Sequence, residues 1–287
     1  MRIGMMADMY KPYISGVTTY ISLNKKFLEK MGHEVFVFTF GNGRFPDDEL
    51  NVVRSPGLPI KRGEIYMNLF YSPSSFKLLR TMDILHVQHP FISGFIAFTS
   101  SQLEKTPIVF TNHTRYDIYS RLYLKSFLYS ITSRILKYYF FYFYKRLDSV
   151  IVPSQSMVQV IQKCQPAARL VVVPHGMELD LFYRRTTTLD RSKFGLDPED
   201  VVLIYVGRLW PEKNLPFLIQ SFARVEKIHH RARLLLVGDG TIRRKLENQV
   251  AQAGLSSKVL FIGAIPHDQL PAYYAMADFF VTPSYSE

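Results

Sequence analysis

The chain of 287 residues has one cysteine, Cys164, so no internal disulfide forms, and the composition fits a reducing compartment. Cys164 reads as a small packed residue rather than a nucleophile. No stretch approaches eighteen consecutive apolar residues, which excludes a bilayer-spanning helix. The opening MRIGMMADMYKPY carries an early charge and no apolar signal core, so it does not read as a secretory leader. There is no Asp-x-Asp pair of the kind that holds a metal at a diphosphate. Acidic residues are scarce in the first part only: residues 1–173 hold 11 Asp and Glu against 21 Lys and Arg, whereas residues 174–287 hold 13 against 14. One basic half and one neutral half imply that the first faces an anionic surface. Charge alone does not choose between nucleic acid and an anionic membrane leaflet.

What is present is apolar residue in plenty, 47% of the chain, enough for two cores of ordinary domain size. MRIGMMAD reads as a strand ending at Asp8, YKPYISGV as a loop with Pro12 and Gly16, and TTYISLNKKFLEKMG as a helix stopped by Gly32. HEVFVFTF, MDILHVQH, TPIVFTNH, DSVIVPSQS and RLVVVPHG read as further buried strands, with His86, His89 and His113 at strand ends. Strands apolar on both faces and alternating with helices predict a parallel sheet covered by helices. After the polar stretch RRTTTLDRSKFGLDPED the rhythm restarts: VVLIYVGR, ARLLLVGDG, KVLFIGAI and DFFVTP as strands, with NLPFLIQSFARVEKI and TIRRKLENQVAQAG as helices. The expectation is an α/β chain of two doubly wound domains, 1–180 and 181–287, facing each other with ligands at the carboxyl ends of the strands. PSYSE stops straight after a strand, so the second domain reads as truncated at its C-terminus.

Along these elements, in order, lie SGV at Ser15–Val17, NHT at Asn112–Thr114, PHG at Pro174–Gly176 and VGRLWPEKN at Val206–Asn214. VGDG at Val237–Gly240, FIGAIP at Phe261–Pro266 and PSYSE at Pro283–Glu287 complete the series. In this order and spacing the chain resembles, over essentially its whole length, the retaining GT-B glycosyltransferases of family 4. That resemblance implies two facing Rossmann-like domains and a nucleotide-sugar donor as substrate, with no cofactor and no metal. The departing diphosphate then needs cationic side chains and backbone amides around it. The resemblance places Arg208 and Lys213 there, a planar donor fork and a point charge. It places Gly16, whose missing Cβ lets a ligand approach a helix N-terminus, beside the donor phosphate. His113 is implied at the donor sugar, Ile265 and its neighbours at the base, and Glu287 at the sugar hydroxyls as the first glutamate of an E-x7-E pair. Taken without the resemblance, His86 and His89 stay open as lining residues, His175 reads as shaping the interdomain turn, and Asp239 as structural.

Between Arg115 and Arg146 stand seven basic residues (Arg115, Arg121, Lys125, Arg134, Lys137, Lys145 and Arg146) against one acid, Asp117, among dense aromatics that culminate in YYFFYFY. A helix inside the fold accommodates few cations and one facing water few rings, whereas a helix in a headgroup layer uses both. Leu136, Tyr139, Phe140 and Phe143 recur at helical spacing and are expected on the core side. HTRYDIY at His113–Tyr119 is similar to the H-T-x-Y-x-x-Y signature of diacylglycerol glucosyltransferases within family 4, which puts Tyr116, Asp117 and Tyr119 on the acceptor side. The implied activity is transfer of a hexose, glucose from UDP-glucose, onto a diacylglycerol-type lipid. The implied location is the cytoplasm, peripherally on the inner face of the cell membrane. Rival readings are a phosphatidylinositol or soluble sugar acceptor, a non-catalytic nucleotide-sugar-binding module, and a nucleic-acid binder, which the motifs give no reason to expect.

Overall fold

The computed structural model describes residues 1–41, 49–60, 65–116, 118, 126–163, 165, 167–183 and 189–284. Cys164, Asp117, Tyr119, Arg121, Lys125 and Glu287, singled out above, lie outside these described residues. The chain divides into two compact units: Met1–Thr114 with Ser126–Met177, and Arg115–Lys125 with Glu178–Glu287.

The first unit is built on a seven-stranded sheet. Its strands are β1 (Arg2–Met6), β2 (Glu34–Gly41), β3 (Val52–Pro56), β6 (Ile84–Val87), β7 (Ile108–Thr111), β8 (Ser149–Val152) and β9 (Leu170–Val172). Their spatial order is β3-β2-β1-β6-β7-β8-β9 and every pairing is parallel. In β1, residues Ile3 to Met6 are all buried, and β2 is buried from Val35 to Gly41. Strands buried on both faces are what a helix-covered parallel sheet requires. The covering helices are α1 (Gly16–Lys30), α2 (Pro73–Leu79), α3 (Ile92–Glu104), α4 (Ser126–Lys145) and α5 (Gln155–Gln162). Between β3 and α2 lies an antiparallel ribbon, β4 (Leu58–Ile60) with β5 (Ile65–Met67).

The second unit holds a four-stranded parallel sheet of β10 (Val201–Val206), β11 (Ala232–Val237), β12 (Val259–Gly263) and β13 (Phe279–Phe280), in the order β12-β11-β10-β13. Its helices are α6 (Leu179–Tyr183), α7 (Leu215–Glu226), α8 (Arg243–Gln252) and α9 (Leu270–Met276). One core, around Leu218, Phe222, Leu234, Leu236 and Leu246, is carried by α7, α8 and β11, and a second around Ile204, Leu235 and Met276 fills the other face. Each sheet is therefore doubly wound. In each, the strand order reverses direction at one place, β1 against β6 and β10 against β13. Ligands of open α/β sheets gather beyond the carboxyl ends of strands at such a place.

The structure corrects three local expectations. His113 lies two residues beyond the end of β7, and His86 sits inside β6 rather than at its end. The helix read from Thr18 starts two residues earlier, at Gly16, because Ser15 caps it. The elements β3, β4, β5, α2, α3, α5, α6 and α9 had no counterpart in the sequence reading. Apart from α3 they are short, too short to show a period of two or of 3.6, and α3, ISGFIAFTSSQLE, mixes serine and glycine with apolar residues, which blurs its period.

Candidate active site

At the reversal point of the first sheet, the loop ends of β1, β6 and β7 lock together through buried polar contacts. Asp8, just past β1, accepts hydrogen bonds at Oδ1 from the Ser93 backbone N–H (2.8 Å) and hydroxyl (2.5 Å), and its own N–H donates to His89 Nδ1 (3.2 Å). Helix α3 has no side-chain cap of its own, so Asp8 supplies that function from 85 positions away. His86 Nε2 meets the Thr111 hydroxyl at 2.7 Å. Burial lowers the His86 pKa to about 4, and the ring is neutral in neutral solution.

His113 is held by Gln88, whose Oε1 lies 2.8 Å from His113 Nε2, while Gln88 Nε2 faces the His86 carbonyl at 3.4 Å. The carbonyl only accepts, so the amide nitrogen points to it and the amide oxygen to the imidazole. The proton of His113 therefore sits on Nε2 and its Nδ1 is an acceptor. Burial, reinforced by His175, His89 and His86, pushes the His113 pKa down to about 2. The ring packs edge-on against Tyr20 (centroids 4.7 Å apart) and near His175 (5.3 Å). Besides any part in the turn, His175 thus contributes a wall to the His113 environment, which the PHG motif alone did not disclose.

Gly16 is the first residue of α1. Ser15 accepts from the Thr18 N–H, and the Ser15 N–H donates to the Thr18 hydroxyl, a closed capping box. A Cβ built on Gly16 meets nothing within 4 Å, so the space in front of this helix start is open.

At the reversal point of the second sheet, the turns after β10, β11 and β12 are stitched by backbone bonds: Gly207 N–H to Val237 O (2.9 Å), Leu209 N–H to Asp239 O (2.9 Å) and Gly238 N–H to Gly263 O (2.7 Å). Gly238 has φ +137° and approaches Gly207 so closely that a Cβ would lie 1.9 Å from the Gly207 carbonyl oxygen. Asp239 bonds the N–H of Gly240 and pairs with Arg243 at 3.7 Å, a structural use. Leu209, fully buried, anchors the loop between Arg208 and Trp210.

Arg208 stands just beyond β10. Its guanidinium lies 5.0 Å from the centre of the Trp210 ring and 3.3 Å from Glu212 Oε1. The Arg208 side chain is 35% exposed, whereas that of Glu212 is 1% exposed. Lys213 ends the short 3-10 turn Pro211–Lys213 and is half-buried. Glu212 and Trp210 were passed over in the sequence reading, although i,i+4 spacing from Arg208 is a pairing signal. Ile265 is half-buried, its side chain against the core of Ile204, Leu235 and Met276. Tyr116 is half-buried and belongs to the segment grouped with the second unit. Arg134, Lys137, Lys145 and Arg146 are all exposed. Among the described residues no three His, Cys, Asp or Glu side chains are grouped as metal ligands.

Residues 14–181 match Glycosyltransferase Family 4, and residues 186–287 match Glycosyl transferases group 1. The chain belongs to glycosyltransferase family 4. This family 4 chain is 31% identical, along its full length and 67% of the relative's, to an alpha-monoglucosyldiacylglycerol synthase of Streptococcus pneumoniae. It is 27% identical to the protein of the same name from Acholeplasma laidlawii, over all of this chain and 75% of that one. Among solved structures, the sucrose-phosphate synthase of Thermosynechococcus elongatus superposes with a TM-score of 0.75 at 21% identity, covering 99% of this chain and 75% of that one. Anabaena HepE, solved with UDP and glucose, gives 0.74 at 18% identity over 99% and 74%. The fold of the family 4 chain is GT-B, two Rossmann-like α/β units of which the second has the smaller sheet, and its activity is that of a hexosyltransferase using a nucleotide sugar.

Proposed function

We propose that this glycosyltransferase moves glucose from UDP-glucose to a diacylglycerol-type lipid at an anionic membrane surface, with retention at the anomeric carbon. The observation that carries the membrane side is the outward face of α4. Ile131, Ile135, Tyr138 and Tyr142 follow one another at helical spacing and are all exposed, Tyr138 by 65% and Ile135 by 61%. With Arg134 and Tyr139 they line a shallow apolar hollow of about 470 Å³. Arg134, Lys137, Lys145 and Arg146 stand exposed around them. Rings and branched chains flanked by cations suit a headgroup layer. No described helix is long and apolar enough to cross a membrane. The two alpha-monoglucosyldiacylglycerol synthases matched along the whole chain support the acceptor class.

In this reading Arg208 and Lys213 take the diphosphate, the open helix start at Gly16 receives a donor phosphate, His113 meets the sugar, and backbone near Ile265 takes the base. Tyr116 serves the acceptor, with Asp117 and Tyr119, and Glu287 holds sugar hydroxyls; these three lie outside the described residues. The bond from the anomeric carbon to the diphosphate oxygen breaks, and the acceptor hydroxyl oxygen forms the new bond on the same face. The hydroxyl proton passes to the departing phosphate oxygen. The protein's task is to hold the leaving charge, not to supply a nucleophile. Incubation with radiolabelled UDP- and GDP-hexoses and vesicles containing diacylglycerol tests it. Label entering the lipid phase from UDP-glucose supports the reading. Transfer only to phosphatidylinositol or to a soluble sugar overturns the acceptor, and binding of donor without any transfer overturns catalysis.

A further inference from the structure

We propose that Glu212 is a positioning residue which aims the Arg208 guanidinium at the diphosphate and offsets most of its charge. The proposal deepens the reading above and rests on Arg208 meeting that diphosphate.

Three observations lead to it. The Glu212 side chain is almost wholly buried, and Arg208 is a cationic partner 3.3 Å away. A carboxylate removed from water in this way holds its counter-ion firmly, because separating the pair strands a buried charge. On its other side the guanidinium lies against Trp210, at 5.0 Å from the ring centre. Arg208 is thus held by a carboxylate and a ring, and about a third of it stays exposed for an incoming ligand. Finally, the Glu212 carbonyl accepts a hydrogen bond from the Ser284 hydroxyl (3.5 Å), which ties the turn carrying Glu212 to the segment that follows β13, across the reversal point of the sheet.

The two functions of a cationic group at a phosphate are direction and charge. A guanidinium paired with a buried carboxylate keeps its direction, since its remaining N–H groups are fixed by the fork geometry. Its net attraction for an anion is reduced, because the pair is neutral at a distance. A site arranged this way holds the departing diphosphate in register without binding free UDP so tightly that product release becomes slow.

Binding and turnover should then change with opposite signs. In Glu212→Gln the shape is kept and the charge removed, so UDP affinity rises by about fivefold. Turnover falls by tenfold to a hundredfold as Arg208 loses its aim. Glu212→Asp keeps the charge but draws it back by one methylene, so UDP affinity stays near wild type while turnover falls. Trp210 is the sole tryptophan, so its fluorescence reports UDP titration without any acceptor present. Arg208→Ala is the control: unchanged UDP affinity and turnover there overturn the diphosphate reading itself. If Arg208→Ala weakens both while Glu212→Gln matches wild type, or loses affinity and turnover together, the positioning and charge-cancelling role of Glu212 is overturned and the diphosphate reading stands.

Discussion

Buried histidines make acid the sensitive side of this protein. His86 lies inside β6 with its Nε2 on Thr111, and burial sets its pKa at about 4, below the ordinary value near 6.5. For a base whose folded value is depressed, the unfolded chain takes up its proton first. Stability therefore falls as pH drops from about 6.5 towards 4, and levels off for this group below that. The thermal midpoint of wild type should decline over that window, and His86→Asn should flatten the decline while lowering the midpoint at pH 7. An equal slope in both proteins would remove His86 as its source. Backbone geometry is as exacting at Gly238, where φ is +137° and a Cβ would collide with the Gly207 carbonyl. Gly238→Ala should cost more than about 3 kcal/mol, whereas Gly254→Ala, with φ +70° and open space around it, should cost only about 1 kcal/mol. Urea unfolding of the two variants, read at Trp210, checks the contrast. The motif VGDG marks this position in the sequence, but not which oxygen forbids the methyl group, because the contact joins turns 31 residues apart.

At the scale of elements, α4 resolves a conflict that composition left standing. Phe140, Phe143 and Tyr144 are buried, with Phe143 edge-on to Phe110 at 5.0 Å and so close to α3 that a Cβ on Gly94 would lie 2.6 Å from its ring. Each such ring contributes roughly 1.5–3 kcal/mol to the core. The opposite face keeps Ile131, Ile135, Tyr138 and Tyr142 in solvent. The core-side expectation holds for Phe140 and Phe143, and helical spacing turns the rings and cations of the other face outward. Arg146 lies over the Phe98 ring at 5.6 Å, so the charges to remove in a surface experiment are Arg134, Lys137 and Lys145. Near an anionic leaflet each is worth about 1 kcal/mol. The triple glutamine variant should bind anionic vesicles about a hundredfold more weakly with an unchanged thermal midpoint, measured by flotation. Undiminished binding would leave the cations of α4 without a membrane role.

Over the whole molecule, the parallel sheets were legible because β1, β2, β10 and β11 are apolar on both faces and alternate with helices. The ribbon β4–β5 was not, since three-residue strands carry no period. Among the candidate residues, Arg208, Lys213, Gly16 and His113 stood out as motif members, whereas Gln88 is visible only through His113, and Glu212 only through its i,i+4 spacing from Arg208. Charge is the other property that no single element holds. The excess of 21 basic over 11 acidic residues lies in residues 1–173, and residues 174–287 are near balance. A field of this kind acts over roughly 10 Å at 0.1 M salt and about 3 Å at 1 M. Added salt should therefore lift the first half from an anionic surface while leaving short, partly buried contacts such as Arg208 with Glu212 in place. Transfer to diacylglycerol in anionic vesicles should fall by at least tenfold between 0.05 and 0.5 M salt, on the order expected from several screened cations. Transfer to a short-chain diacylglycerol dispersed in neutral detergent should change by less than about twofold, because nothing in that assay depends on long-range attraction. An equal fall in the two assays would place the salt-sensitive step in donor binding, and the asymmetry of charge would then have no part in bringing the enzyme to its acceptor.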